Sequence, residues 1–185
     1  MIDREEPVEL PAEVVLTTPR LQLVRVTAAD APFVLDLLNS PGWLRFIGDR
    51  GVRTLGDARA YIRDNYQASY RRHGYGGYRV RRVADGVSVG MCGLFKRDTL
   101  DHPDIGFAFL TGFEGQGYGY EAASALLTYA RQTLGLPRLL AIVNPDNAPS
   151  IGLIEKLGLR YEGPYLTSGR VIRQYGRSLA GEPAQ

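Results

Sequence analysis

Cysteine occurs once in these 185 residues, at Cys92, so no disulfide can form within the chain and the sequence suits a reducing compartment. Histidine occurs only at His73 and His102, both in loop-like, solvated contexts without metal-ligand spacing, so no metal site is expected. No apolar run approaches the roughly 18 residues that a membrane span needs. The acidic, proline-broken start "MIDREEPVELPAEV" lacks the apolar stretch of a signal peptide. Charge of one sign is also missing: 22 basic against 20 acidic residues leave +2, too little for wholesale nucleic-acid binding. Internal repeats and low-complexity blocks are absent. These absences predict a soluble, cytoplasmic protein with no membrane, nucleic-acid or metal partner.

What is present is enough apolar material, 44% of residues, to bury a core, over a length that fits one domain. The reading is a loosely held leader over 1–16, a single domain over 17–179 and a frayed tail over 180–185. "RLQLVRV" (20–26) alternates as a strand with one buried face. Thr27 and Asp30 form a capping box for a helix with Phe33, Val34, Leu37 and Leu38 on one stripe. "WLRFIGDRGVRT" shows no period and is expected to be irregular. Thr54 and Asp57 start a second helix through Ala58, Tyr61, Ile62, Tyr66 and Tyr70, stopped by Gly74. Strands are predicted at 75–83, 87–96 and 104–110, the first two joined by an Asp85-Gly86 turn. A helix from Tyr118 to near Gly135, a buried strand at 138–143, a short helix over 147–158 and a hairpin turning at Ser168-Gly169 complete the chain. Cys92, beside Met91 and Leu94, reads as core packing. Antiparallel hairpins followed by a strand–helix–strand crossover make a mixed α/β sheet.

The most informative stretch is "GFEGQGYGYEAASALL" (112–127), where Gly112, Gly115, Gly117 and Gly119 crowd a strand-to-helix junction. Glycines there either make a tight turn or let an anion approach the unpaired N–H groups of a helix start. A Walker phosphate loop is excluded, because no Lys-Ser or Lys-Thr follows. "GYGYEA" satisfies a dinucleotide fingerprint, but it falls two-thirds of the way along, with only one further strand–helix pair and a hairpin after it.

The run "DIGFAFLTGFEGQGYGYEAASALLTYARQTLGLPRLLAIVNPDNAPSIGLIEKLGLRYEG" resembles the core of the GNAT acyl-CoA N-acyltransferase superfamily, and "LTTPRLQLVRV" resembles the start of its ribosomal-protein N-terminal acetyltransferase (RimJ/RimL-like) branch. The resemblance runs from about residue 16 to the final hairpin. It implies a central, mostly antiparallel twisted sheet with splayed central strands and flanking helices, in a monomer or homodimer. It also implies acetyl transfer from acetyl-CoA to a primary amine, a protein N-terminus or a small molecule, by direct attack in a ternary complex. The alternative is a catalytically degenerate acyl-CoA-binding sensor or interaction module.

The resemblance places the pyrophosphate of coenzyme A on backbone N–H groups of Gly115, Gln116, Gly117, Tyr118, Gly119 and Tyr120. It places the pantetheine arm against the backbone of Phe107 to Leu110, with an N–H near Phe109 or Leu110 polarising the thioester carbonyl. In "NPDNAPS", Asn147 would bond the pantetheine amides and Ser150 would sit near the sulfur as the acid; locally, Asn147 also reads as a helix cap. Asp104 matches the position of a general base, and locally it reads equally well as a surface acid opening a strand. Two positions depart from the pattern. Ile154 stands where other branches carry a catalytic tyrosine, and Glu114 is an acid beside the phosphate loop, unfavourable unless it faces solvent or a cation. Trp43, Arg45, Arg50, Arg53 and Asp98 lie in irregular stretches that either flank the acceptor or are merely solvated.

Overall fold

The computed structural model describes residues 8–181. Among these residues eight strands form one sheet, in the order β1-β2-β3-β4-β5-β6-β8-β7. They are β1 (Val14–Thr17), β2 (Leu21–Arg25), β3 (Gly77–Arg82), β4 (Ser88–Phe95), β5 (Asp104–Phe109), β6 (Arg138–Val143), β7 (Arg160–Thr167) and β8 (Arg170–Ser178). All neighbouring pairs are antiparallel except β5 and β6, which the helix α5 (Tyr118–Gln132) connects. The mixed α/β sheet expected from the sequence is present.

Both capping boxes form. Asp30 accepts the Thr27 N–H at 2.9 Å and opens a 3₁₀ turn into α1 (Ala31–Leu38), whose Val34, Leu37 and Leu38 are buried. Thr54 and Asp57 exchange bonds of 2.9 and 3.1 Å to start α3 (Leu55–Tyr61). This helix runs on through a π-helical segment, Ile62–Gln67, into α4 (Ala68–His73), and Gly74 closes it at φ +76°. The wide turn has a cause in the sequence. Ala58, Ile62, Tyr66 and Tyr70 are buried and four residues apart. In a regular α-helix each such step overshoots a full turn by about 40°. The π segment absorbs that drift and keeps all four on the sheet.

Two expectations need correction. Trp43–Phe46 of the stretch expected to be irregular belong to a short helix, α2 (Pro41–Phe46), which Ser40 and Pro41 begin in the usual N-cap and first-turn positions. The leader is not wholly loose: β1 begins within it, at Val14, and pairs with β2, and Gln67 grips Leu10. Gln67 is 1% exposed; its Oε1 accepts the Leu10 N–H at 2.8 Å, and its Nε2 donates to the carbonyls of Leu10 and Val26. Residues 1–7 and 182–185, the outer parts of leader and tail, lie outside the described residues.

Register assigns the faces of the sheet. Directly paired residues share a face and successive residues alternate. Gly77, Arg79, Met91, Gly93, Phe95, Asp104, Gly106 and Ala108 therefore share one face, and Tyr78, Val80, Cys92, Leu94, Ile105, Phe107 and Phe109 the other. The first face carries the helices α1 to α4: Arg79 pairs with Asp30 at the head of α1 at 3.3 Å, and Tyr66 packs against Met91 over Gly77. The second carries α5, whose Gly119 lies beside the Phe109 ring.

Candidate active site

The fork between β5 and β6 is the central feature. β4 and β5 pair at six positions, as do β6 and β8, but β5 and β6 pair only at Asp104 and Leu140. Beyond that point the strands part toward their carboxyl ends, where parallel strands commonly bind ligands. The backbone of β5 is exposed on the open side. Leu110 N–H donates to Val89 O at 2.9 Å, so the groups of Gly106 and Ala108 also face β4, and those of Phe107 and Phe109 face the gap. This removes Leu110 from the predicted set as a backbone donor: its N–H is taken by Val89 and its carbonyl accepts the Phe113 N–H at 3.1 Å. Phe109 alone remains of the two candidates for the thioester carbonyl.

The glycine junction lies at the mouth of the fork. Gly117, at φ +80°, is the N-cap of α5, and the first bond of the helix is Glu121 N–H to Gly117 O at 3.1 Å. Among the described residues no protein acceptor meets the N–H groups of Gly115, Gln116, Gly117, Tyr118, Gly119 or Tyr120. A Cβ at Gly119 would lie 3.1 Å from Leu153 Cδ2 and 3.4 Å from Phe109 Cε2, so glycine here lets β5, α5 and α6 (Ala148–Lys156) converge. The Gln116 side chain bonds back to Gly112 O at 2.8 Å, tightening the loop. The start of a 15-residue helix, with its N–H groups free and its dipole positive, fits an anion.

Arg20, Thr18 and Glu121 brace that loop, and reading the sequence assigned none of them a role. Glu121 accepts from Thr18 Oγ1 at 2.6 Å, from Arg20 N–H at 2.9 Å and from Arg20 Nε at 2.6 Å. Arg20 Nη1 also donates to Gln116 O at 3.0 Å, and its guanidinium lies over the buried Tyr118 ring at 4.7 Å. Burial works against the Glu121 charge, but the Thr18 and Arg20 bonds outweigh it and hold the carboxyl below its ordinary range. The signal was the arginine in "TPRLQL"; its contacts lie about a hundred residues away, beyond any local pattern. Glu114 is exposed, and its Oε1 lies 3.9 Å from the position a Cβ on Gly42 would occupy, at the start of α2. The acid therefore points toward α2.

Asn147 is the N-cap of α6: its Oδ1 accepts the Ser150 N–H at 3.3 Å. Among the described residues its amide Nδ2 and the Ser150 hydroxyl have no protein partner, and both residues are half-buried beside the fork. Ile154 is 2% exposed and packs in the core.

Asp104 is far from a surface acid; it is 1% exposed, at the closed end of the fork and on the face bearing α1 to α4. Burial raises its pKa, and the Arg97 guanidinium, bonded through Nε to Oδ1 at 2.7 Å, pulls it back down without cancelling the rise. Tyr61 and Tyr66 meet edge to face at 5.5 Å on the helix above this face. Burial raises the Tyr61 pKa, while the cations of Arg50 and Arg97 oppose the rise. Of the remaining candidates, Trp43 donates to Gly48 O at 3.1 Å, and Arg53 pairs with Asp49, so both hold the α2–α3 loop together. His73 is exposed and stacks on Tyr75.

The model of the acetyltransferase (GNAT) domain family matches residues 20–160, three-quarters of the chain. The chain belongs to the GNAT acetyltransferase family. It is similar to the uncharacterized N-acetyltransferase YnaD of Bacillus subtilis, 27% identical over 148 residues that cover 80% of this chain and 84% of YnaD. Among solved structures it is similar to an acetyltransferase from Agrobacterium tumefaciens str. C58, at TM-score 0.76 and 26% identity, over 94% of this chain and 98% of that one. The fold also matches RimL, a ribosomal L7/L12 alpha-N-protein acetyltransferase solved with coenzyme A, at TM-score 0.72 and 19% identity, over 92% and 100% of the two chains. GNAT acetyltransferases use acetyl-CoA, and the free N–H groups, open glycines and unpaired β5 backbone fit that co-substrate.

Proposed function

We propose that the protein transfers the acetyl group of acetyl-CoA to a primary amine by direct attack in a ternary complex. The observation that carries this reading is the fork: it opens beside the unpartnered N–H groups of α5, and a buried carboxylate stands at its closed end, on the opposite face. Backbone N–H groups from Gly115 to Tyr120 hold the pyrophosphate, with Arg20 adding positive charge. The backbone of Phe107 and Phe109 and the amide of Asn147 hold the pantetheine arm. The Phe109 N–H polarises the thioester carbonyl, where negative charge develops.

The acceptor approaches from the face that carries Asp104. Its nitrogen bonds to the thioester carbon and the carbon–sulfur bond breaks. Asp104, five strand residues from Phe109, takes the amine proton through a chain of waters, and Ser150 supplies a proton to the departing sulfur, regaining one from solvent. Direct transfer is supported by Cys92: the chain's sole thiol is 1% exposed and burial pushes its pKa up to about 12, so it cannot serve as an acetyl carrier. The branch resemblance suggests a protein N-terminus as acceptor. A second reading, a module that binds acyl-CoA without turnover, is favoured by the Arg97–Asp104 ion pair and by isoleucine at position 154. Thermal shift with acetyl-CoA, followed by turnover with a panel of amines, separates them. Stabilisation with turnover supports the enzyme, stabilisation alone supports the module, and no shift at saturating acetyl-CoA sinks both.

A further inference from the structure

We propose that Arg97 is the acceptor-recognition residue, and that the acceptor carries a carboxylate close to its reactive amine. The inference rests on the acetyltransferase reading above and specifies its second substrate.

The geometry divides the Arg97 side chain in two. Its Nε is committed to buried Asp104 at 2.7 Å, while no protein acceptor among the described residues meets Nη1 or Nη2. The side chain is 40% exposed and Asp104 only 2%, so the guanidinium caps the buried carboxylate and turns its outer edge to the acceptor face. Arginine is suited to this, because its planar fork can hold one carboxylate through Nε and a second through its terminal nitrogens. A second cation lies in the same region: Arg50, exposed in the loop between α2 and α3 and with no ion-pair partner among the described residues, is, like Arg97, close enough to Tyr61 for its charge to oppose the rise in the Tyr61 pKa. Asp98 and Asp101 lie in the same loop as Arg97, but among the described residues neither carboxylate bonds to its guanidinium. Lys96 Nζ is held by the carbonyls of Arg97 and Leu100, and Asp49 is paired with Arg53. An acceptor with extra positive charge would face two guanidinium groups; one with a carboxylate would complete them.

The arrangement also links recognition to proton transfer. Arg97 from the β4–β5 loop bonds Asp104 directly, and Lys96 of the same loop and Tyr75, just before β3, are close enough to interact with its charge. An acceptor carboxylate on the outer edge of Arg97 offsets part of the positive charge that holds Asp104 ionised. Asp104 then becomes a stronger base when the correct substrate is in place.

The test compares short peptide amides that begin with Asp or Glu against matched peptides that begin with Asn or Gln, with spermidine as the polycationic probe. The proposal expects kcat/KM for the acidic peptides to exceed that for their neutral partners by roughly tenfold or more, the worth of one charge-assisted bond. In Arg97→Gln the ratio falls to about one and the acid limb of the pH profile moves upward. Arg97→Lys, which keeps a positive charge over Asp104, retains part of the preference and guards against loss of folding. Equal or better turnover of neutral peptides or spermidine by the wild type overturns the proposal, as does an unchanged ratio in Arg97→Gln. Thermal stabilisation by acetyl-CoA is measured alongside. Stabilisation with transfer lacking acidic preference defeats only the Arg97 inference; absence of transfer to every amine defeats the acetyltransferase reading too.

Discussion

Replacing Gly117 by alanine separates the two jobs that the glycine junction performs. At φ +80° an alanine is in the left-handed region, which costs about 1–2 kcal/mol. For a domain of this size that is a fall in Tm of about 2–8 °C. The new Cβ would sit 3.2 Å from Arg20 Nη2, the mobile tip of a flexible chain, so packing adds little to the cost. Binding suffers separately, because the methyl group projects from the N-cap where an anion approaches α5 and disturbs the Arg20 brace. Loss of one hydrogen bond to a charged phosphate oxygen costs about 1.5–3 kcal/mol, roughly 10- to 150-fold in Kd. The control is Gly135→Ala at the far end of α5: φ is +63°, no neighbour lies within 4 Å, and the same strain arises far from the fork. Calorimetric titration with coenzyme A should show both variants destabilised by similar amounts and only Gly117→Ala weakened in binding. Equal Kd for the two variants would refute the assignment of the loop to the pyrophosphate.

Asn147→Asp keeps the α6 cap, since aspartate caps as well as asparagine, but loses the Nδ2 donor. Its Tm should stay within a degree or two of wild type while coenzyme A affinity drops; unchanged affinity leaves Asn147 as a cap alone. Glu121→Gln removes a carboxylate whose folded pKa is depressed below 4.5. The stability it contributes is present above that value and lost as pH falls through the folded pKa, so urea melts of wild type and variant should differ at pH 7 and converge on acidification. Convergence at alkaline pH instead would reverse the sign of the argument. Cys92 should resist thiol reagents in native buffer and react promptly in denaturant; fast native labelling would contradict its burial.

The legible parts of this chain were those fixed locally. Thr27 with Asp30, and Thr54 with Asp57, announce helix starts within four residues, and Gly74 and Gly117 occupy conformations that other residues rarely adopt. The helix α2 was signalled by Ser40-Pro41 but hidden by six residues too short to show a period. Long-range features were not legible. The Arg20–Glu121 brace joins "TPRLQL" to the glycine junction about a hundred residues on, beyond the reach of any local pattern. The family resemblance puts Leu110 at the fork together with Phe107 to Phe109; the ladder register, with Leu110 bonded to Val89, turns it the other way. The burial of Asp104 and its Arg97 partner come from the topology, which brings the β4–β5 loop over the point where β5 and β6 meet.

The central claim is amine acetylation at the fork by direct transfer with Asp104 as base. It is tested most directly by following coenzyme A thiol release from acetyl-CoA while mass spectrometry monitors amine and enzyme. The account predicts thiol release that depends on the amine, an acetylated acceptor, no acetylated enzyme, and a fall of roughly 100-fold or more in kcat for Asp104→Asn with acetyl-CoA binding retained. An acetylated enzyme intermediate, or full turnover by Asp104→Asn, would contradict it.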